Sequence, residues 1–290
     1  MSYQGIANAA QATAWWRNDV AAAAILGVVQ GITEFLPISS SGHLAILPWA
    51  FQWSSPVLNS LPFAVALHVG TLLAVLMVFW RDVLALALAF LTSIRERDIQ
   101  AEPNRRLAWL LVLATLPAVV AGLLLEEAAA TVLRSPWIIA ATLAGVGVIL
   151  WIVDARHTGE RGCDHLNWRG ALLIGLAQAL AIVPGVSRSG STITMGMLLG
   201  LSRVQAARFS FLLMAPVIFG AGVWEARHLD GAALSGDGGT IFVVGFLSAL
   251  VVGYLCIRVF LRYLQRGRLW PLALYRIGLA AVIVLMLVMR

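Results

Sequence analysis

Apolar runs long enough to cross a bilayer alternate along the chain with short polar stretches that carry arginine. The runs lie at 61–80, 107–125, 136–153, 209–224, 241–261 and 272–289. Most approach the roughly 20 residues that a helix needs to cross about 30 Å of hydrocarbon, so six crossings are predicted. A further apolar stretch at 83–92 is too short to cross and follows Arg81 and Asp82. It is expected as a helical extension at the interface. Two other apolar stretches, 20–53 and 170–200, are broken in the middle. In the first, a helix over 20–36 would rise about 26 Å before Pro37, Ser39, Ser40, Ser41 and Gly42 interrupt it, and a second short helix follows. In the second, a helix over 170–183 meets Pro184, Gly185, Val186, Ser187, Arg188, Ser189 and Gly190, then resumes through Leu199. Irregular backbone at this depth is tolerated only where protein buries it or a polar cavity faces it, so a cavity is implied.

A shift of 148 positions lays one broken stretch on the other. Gly27 then meets Gly175, Gln30 meets Gln178, and Ser39, Ser41 and Gly42 meet Ser187, Ser189 and Gly190, with Pro37 and Pro184 one residue out of register. Three crossings after each broken stretch would turn the second half upside down relative to the first and bring the two breaks together near the midplane, an arrangement that recurs in transporters. The expected fold is all-α, a polytopic membrane protein forming a single integral membrane domain over 1–290. It is an inverted repeat of two halves, about 20–154 and 170–289, each a broken re-entrant helix pair followed by three transmembrane helices.

Composition supports the membrane reading: 60% of residues are hydrophobic and 12% charged, about half the charged share of a soluble domain. The sequence pI near 10.3 raises the question of a nucleic-acid partner. All the basic residues are Arg, and twelve of them, Arg81, Arg95, Arg97, Arg105, Arg106, Arg156, Arg161, Arg169, Arg203, Arg262, Arg266 and Arg268, fall in or beside loops that the six crossings place on one side. Arg17, Arg134, Arg227 and Arg290 fall on the other. Positive charge concentrated on the cytoplasmic side is the ordinary membrane bias, so no nucleic-acid partner is needed to explain it. Cys163 and Cys256 offer no disulfide framework. The N-terminus lacks a basic region ahead of an apolar core and is not expected to be a cleaved signal peptide. Trp15, Trp16 and Arg17 are expected to form an interfacial anchor.

Each break ends where a helix begins, so free N–H groups and the positive end of a helix dipole point at the turn and create an anion site. Serine is also a common helix cap. What raises these serines above capping is their convergence with Arg188, a costly charge inside an apolar segment that can grip a phosphate or carboxylate bidentately. Glu34 lies four residues after Gln30 on the same helical face. It could act as a general base, hold a divalent cation such as Mg²⁺ or Ca²⁺, or pair with Arg188, and the sequence leaves these open. His43, beside the first turn, could donate a proton to a leaving oxygen. His68 is expected to make a structural interhelical hydrogen bond. Glu126, Glu127 and Glu225 fall at span ends, and His157 and His165 around Cys163 do not make a zinc site.

The stretch Gln30-Gly-Ile-Thr-Glu34-Phe-Leu-Pro-Ile-Ser-Ser-Ser-Gly-His43, together with Pro184-Gly-Val-Ser-Arg-Ser-Gly-Ser191, closely resembles the two signature motifs of the bacterial undecaprenyl-diphosphate phosphatases, also known as bacitracin-resistance proteins. Length, hydropathy and the repeat are similar over essentially the whole chain. The resemblance implies a multi-pass enzyme of the bacterial inner membrane, with its site facing the periplasm, that removes the terminal phosphate of undecaprenyl diphosphate. It thereby regenerates the lipid carrier for peptidoglycan, and bacitracin competes by binding the same substrate. It further implies Ser40 as nucleophile, Glu34 as the second acidic position of the motif, His43 as acid or phosphate ligand and Arg188 as the phosphate-binding arginine. Ser39, Ser41, Gly42, Ser187, Ser189 and Gly190 would line the phosphate site. The first acidic position is Gln30 here, which argues against a two-carboxylate metal cage. The residues alone would equally suit a transporter or flippase of a polyprenyl phosphate.

Overall fold

The computed structural model describes residues 18–225 and 237–289, and these residues are helical apart from turns and one isolated bridge between Arg161 and Leu201. The anchor expected at 15–17 lies outside them, as do Arg227 and Arg290. The helices are α1 (Asp19–Thr33), α2 (Ser40–Phe51), α3 (Leu61–Glu96), α4 (Pro103–Ala130), α5 (Pro136–Arg156), α6 (Trp168–Ala179), α7 (Arg188–Leu198), α8 (Arg203–Glu225), α9 (Asp237–Leu264) and α10 (Trp270–Val288). Six of them, α3, α4, α5, α8, α9 and α10, are long and apolar enough to cross a membrane. Their starts follow local chemistry. Proline sits in the first turn of α3, α4, α5 and α10, where its missing N–H costs nothing, and Asn18 and Asn167 cap α1 and α6.

The stretch at 83–92 is the continuation of α3, which runs for 36 residues with a kink at Phe79 (φ −109°, ψ 21°). A helix of that length extends about 54 Å, well beyond the hydrocarbon, so its last turns leave the bilayer. The helix predicted over 20–36 ends earlier, at Thr33, and Glu34 belongs to the turn.

The element order, a broken pair followed by three long helices, occurs twice. The two sets interlock: α1 packs along α9 and α6 along α4, while α3 lies on α8 and α5 on α10. Close approach at equivalent glycines makes this possible. A Cβ on Gly27 would collide with the Gly245 carbonyl of α9, and one on Gly175 would stand 2.6 Å from the Ala114 carbonyl of α4. The largest buried cluster centres on Phe211, whose ring meets Phe35 edge-on at 5.3 Å and lies 6.4 Å from both Phe79 and Phe260. Outward-facing Leu123, Leu124, Val259 and Val288 are exposed, an exterior suited to hydrocarbon and unfavourable in water.

One buried carboxylate ties three helix ends together. Asp154, at the end of α5, accepts from Arg203 Nε (2.6 Å) at the start of α8 and from the backbone N–H groups of Leu269 (2.9 Å) and Trp270 (3.0 Å) at the start of α10. It ties the last helix of the first half to two helices of the second.

Candidate active site

The two turns share an unusual backbone. Ser39 (φ 74°, ψ 90°) and Ser187 (φ 75°, ψ 115°) both have positive φ, a conformation that costs a residue bearing a Cβ about 1–3 kcal/mol. Each serine caps the helix it precedes, accepting from Gly42 N–H (3.3 Å) and Gly190 N–H (3.0 Å) respectively. Each also lies 3.3 Å from the hydroxyl two residues on, Ser41 or Ser189. The turns lie against each other: the Ser189 hydroxyl donates to the Leu36 carbonyl at 3.0 Å, and a Cβ on Gly42 would come within 3.5 Å of Gly185 Cα. The starts of α2 and α7 therefore meet, and the N–H groups ahead of the first intrahelical bonds have no helical partner.

Glu34 stands where they meet, with its side chain 4% exposed. Arg188 Nη2 donates to Oε1 at 2.7 Å. The Ser40 hydroxyl (2.6 Å) and Gln30 Nε2 (3.0 Å) donate to Oε2. Arg188 and Ser40 occupy the first position of α7 and α2, so two chemically unlike residues at matching places converge on one carboxylate. Arg188 is steadied by donation from Nη1 to the Ser210 carbonyl (2.9 Å), and Ser210 in turn lies 2.7 Å from the Thr192 hydroxyl. The side-chain amide oxygen of Gln30, Oε1, is buried beside Glu34 without a protein partner, an acceptor left for a ligand or water.

The structure thus brings together Gln30, Glu34, Ser40 and Arg188, with Ser39, Ser41, Gly42, Ser187, Ser189 and Gly190 forming the turns beneath them. His43 is engaged differently. Its Nδ1 lies 2.7 Å from the Ser39 carbonyl and must donate there, so in the neutral ring Nε2 accepts from the Tyr275 hydroxyl at 2.8 Å, the two rings stacked 5.7 Å apart. The imidazole nearest the carboxylate is His68, whose Nε2 is 3.5 Å from Glu34 Oε2 while Nδ1 donates to Ala64 of its own helix. Because Nδ1 holds one proton, that contact is attractive only when Nε2 carries another. His68, expected to make a structural interhelical hydrogen bond, instead bonds its own helix and faces Glu34, while Tyr275, Thr192, Ser210 and Arg276 are the nearby residues that the sequence patterns did not mark. An ionisable residue inside an apolar run was the available signal for His68 and Arg276.

Among the described residues no three His, Cys, Asp or Glu side chains stand together as a metal cluster. Both Glu34 oxygens already accept from protein donors. Among the described residues, then, the side chains at the turns do not by themselves form a cation cage.

Residues 23–282 match the family described as Bacitracin resistance protein BacA. The chain belongs to this family. It is 46% identical over 268 residues to a protein of Rubrobacter xylanophilus named undecaprenyl-diphosphatase, covering 92% of this chain and 98% of that one. Proteins of the same name from Moorella thermoacetica (45% over 262 residues; 90% of this chain, 95% of that one) and Thermomicrobium roseum (44% over 271 residues; 91% and 96%) are similarly related. As a BacA-family chain it carries its two motif segments, 30–43 and 184–191, inside the matched region, and they are the segments that form the joined turns.

Proposed function

We propose that this chain hydrolyses undecaprenyl diphosphate to undecaprenyl phosphate and inorganic phosphate, recycling the lipid carrier for peptidoglycan synthesis. The observation that carries the reading is the carboxylate of Glu34, which holds a serine hydroxyl on one oxygen and an arginine on the other between two helix starts. A hydroxyl donating to a carboxylate is an activated nucleophile, and two helix N-termini with Arg188 form a preorganised cradle for phosphoryl oxygens.

In this reading the terminal phosphate displaces Glu34 from Arg188 and is held by the guanidinium and the N–H groups of the two turns. Ser40 Oγ attacks the terminal phosphorus, its proton passes to Glu34, and the bond from phosphorus to the bridging oxygen breaks. The lipid phosphate leaves and takes up the proton held by Glu34. Water then cleaves the phosphoserine, its oxygen joining phosphorus and its proton passing by way of Glu34 to Ser40 as inorganic phosphate is released. His68 is placed to exchange a proton with Glu34. His43 holds the Ser39 carbonyl, and with it the first turn, and must leave Tyr275 before Nε2 can serve substrate. The alternative nucleophile is a water held by Glu34 and the free oxygen of Gln30.

The family match and the names of the relatives support the substrate. The six long helices support a multi-pass protein, and the reading places it in the bacterial inner membrane with the turns open to the periplasm. The prenyl tail would lie along the apolar helix faces. Bacitracin would compete by sequestering the diphosphate, and any divalent cation would enter with the diphosphate rather than reside on the chain. A transporter or flippase of polyprenyl phosphate would need Arg188 but no nucleophile. The hydrogen bond from Ser40 to Glu34 favours chemistry. Purified protein in detergent, given undecaprenyl diphosphate, is expected to release phosphate, with release abolished in Arg188→Ala. Failure of the wild type to release phosphate across pH and Mg²⁺ or Ca²⁺ titrations would replace hydrolysis by transport.

A further inference from the structure

Among the described residues Arg276 is the largest side chain that is fully buried, and none of the roles assigned above accounts for it. It projects from α10 within an apolar span, and its guanidinium donates to backbone carbonyls alone. Nη1 binds Pro37 (2.9 Å), Nη2 binds Gly185 (2.8 Å) and Val186 (2.9 Å), and Nε binds Leu143 (3.3 Å). Among the described residues no carboxylate pairs with it. Pro37 lies in the first turn, two residues before Ser39. Gly185 and Val186 lie in the second, immediately before Ser187. One side chain therefore grips both turns just ahead of their strained residues.

The planar trans peptide makes this grip consequential. A carbonyl and the following N–H point in opposite directions, so holding the Pro37 and Val186 carbonyls on Arg276 turns the next N–H groups away from it. A strained backbone persists only where its surroundings over-determine it, and a guanidinium with five donors in one plane can hold several carbonyls at once where an ammonium cannot.

We propose that Arg276 is the positioning residue that locks both turns together in the phosphate-binding shape, and that its charge, unpaired by any carboxylate, adds to the field that holds the diphosphate. It does not touch substrate; it acts through the turns. The proposal rests on the diphosphatase reading and adds a residue remote from the chemistry on which kcat depends.

Two variants perturb the grip from opposite sides. Arg276→Lys keeps the charge and loses the multipoint hold. Gly190→Ala keeps Arg276 but places a Cβ 2.7 Å from Nη1 and 3.0 Å from the Ser187 side chain that caps α7, loosening the grip on the second turn from the turn's own side even where the lysine variant fails to fold. Arg105→Lys makes the same change at another buried arginine, one paired with Glu96 at 2.6 Å away from the turns, and serves as the control. Phosphate release from undecaprenyl diphosphate is measured on each purified protein together with its unfolding temperature. Arg276→Lys and Gly190→Ala are expected to lower kcat by about tenfold or more, as slight misplacement of a site does, with KM changed much less. Arg276→Gln should raise KM as well, and Arg105→Lys should match the wild type. A folded Arg276→Lys or Gly190→Ala with wild-type kcat overturns the positioning role. Inactivity of the wild type would sink the diphosphatase reading instead, so the two failures are distinguishable.

Discussion

The two Ser-Gly turns have nearly the same backbone and almost opposite equipment. Both place a serine at positive φ, cap the following helix with its hydroxyl and set a second hydroxyl 3.3 Å away. Yet under the 148-residue shift Glu34 faces Ile182, Ser40 faces Arg188, and His43 faces Ser191. The shared part is what any anion site made from a helix start requires: a capped glycine and N–H groups without a helical partner. The unshared part divides the work. In the proposed reaction the first turn carries the carboxylate and the hydroxyl bonded to it, and the second carries the charge that would neutralise phosphate. A repeated scaffold can thus hold a site with no repeated chemistry, because only the backbone has to match.

That division is open to attack, most strongly at its charged member. Arg188→Ala should reduce kcat/KM by about 10³-fold or more, the scale at which arginine stabilises phosphoryl transfer, with KM raised. Glu34→Gln, by contrast, should reduce kcat with KM little changed, since it removes an interaction made in the reaction step and not in binding. Steady-state kinetics on both variants separates the roles, and identical kcat and KM profiles would erase the distinction between the turns.

The paired glutamines offer a second, smaller comparison. Gln30 donates to Glu34, whereas Gln178 donates to the Ala114 carbonyl at 3.2 Å and so fastens α6 to α4. Gln30→Ala should lower kcat about tenfold with the fold intact, the effect of releasing one oriented partner of a catalytic group. Gln178→Ala should leave kcat in place and cost about 1 kcal/mol of stability, read as a lowered unfolding temperature. Reversed outcomes would mean that the second turn is the reactive one.

The smallest effect is expected on the connection between the halves. Burial pushes the Cys163 thiol up to about 11, so it stays protonated at neutral pH and forms thiolate only as the pH climbs toward that value. Alkylation at pH 7, followed by mass spectrometry, should leave Cys163 largely unmodified and turnover unchanged. Rapid labelling with loss of activity would show that this loop, too, bears on the site.

Much of this was legible in the sequence because it is local. The six apolar runs fix the long helices, the Pro-Ser-Gly interruptions fix the breaks, and the 30–43 and 184–191 segments carry the residues that meet at Glu34. The contacts that complete the site are not local. Arg276 reaches Pro37 across 239 positions and Val186 across 90, and Tyr275 reaches His43 across 232, distances at which no periodicity records a pairing. The reasoning that singled out Arg188, a charge inside an apolar segment, applies equally to Arg276 and to His68. The apolar run through Leu36 likewise does not reveal that α1 ends at Thr33, with Glu34 as its C-cap, its N–H on the Gln30 carbonyl and its side chain turned to partners on α7 and α2.

The claim on which everything else depends is that Ser40, activated by Glu34, attacks the terminal phosphate held by Arg188. The most direct measurement is the rate of phosphate release from undecaprenyl diphosphate by the purified wild type and by Ser40→Ala, with substrate binding measured on both. The wild type should release phosphate, and Ser40→Ala should bind substrate normally while turning over about 10³-fold more slowly or worse, as loss of a nucleophile requires. Near-normal turnover by a folded Ser40→Ala would contradict the account and hand the attack to water.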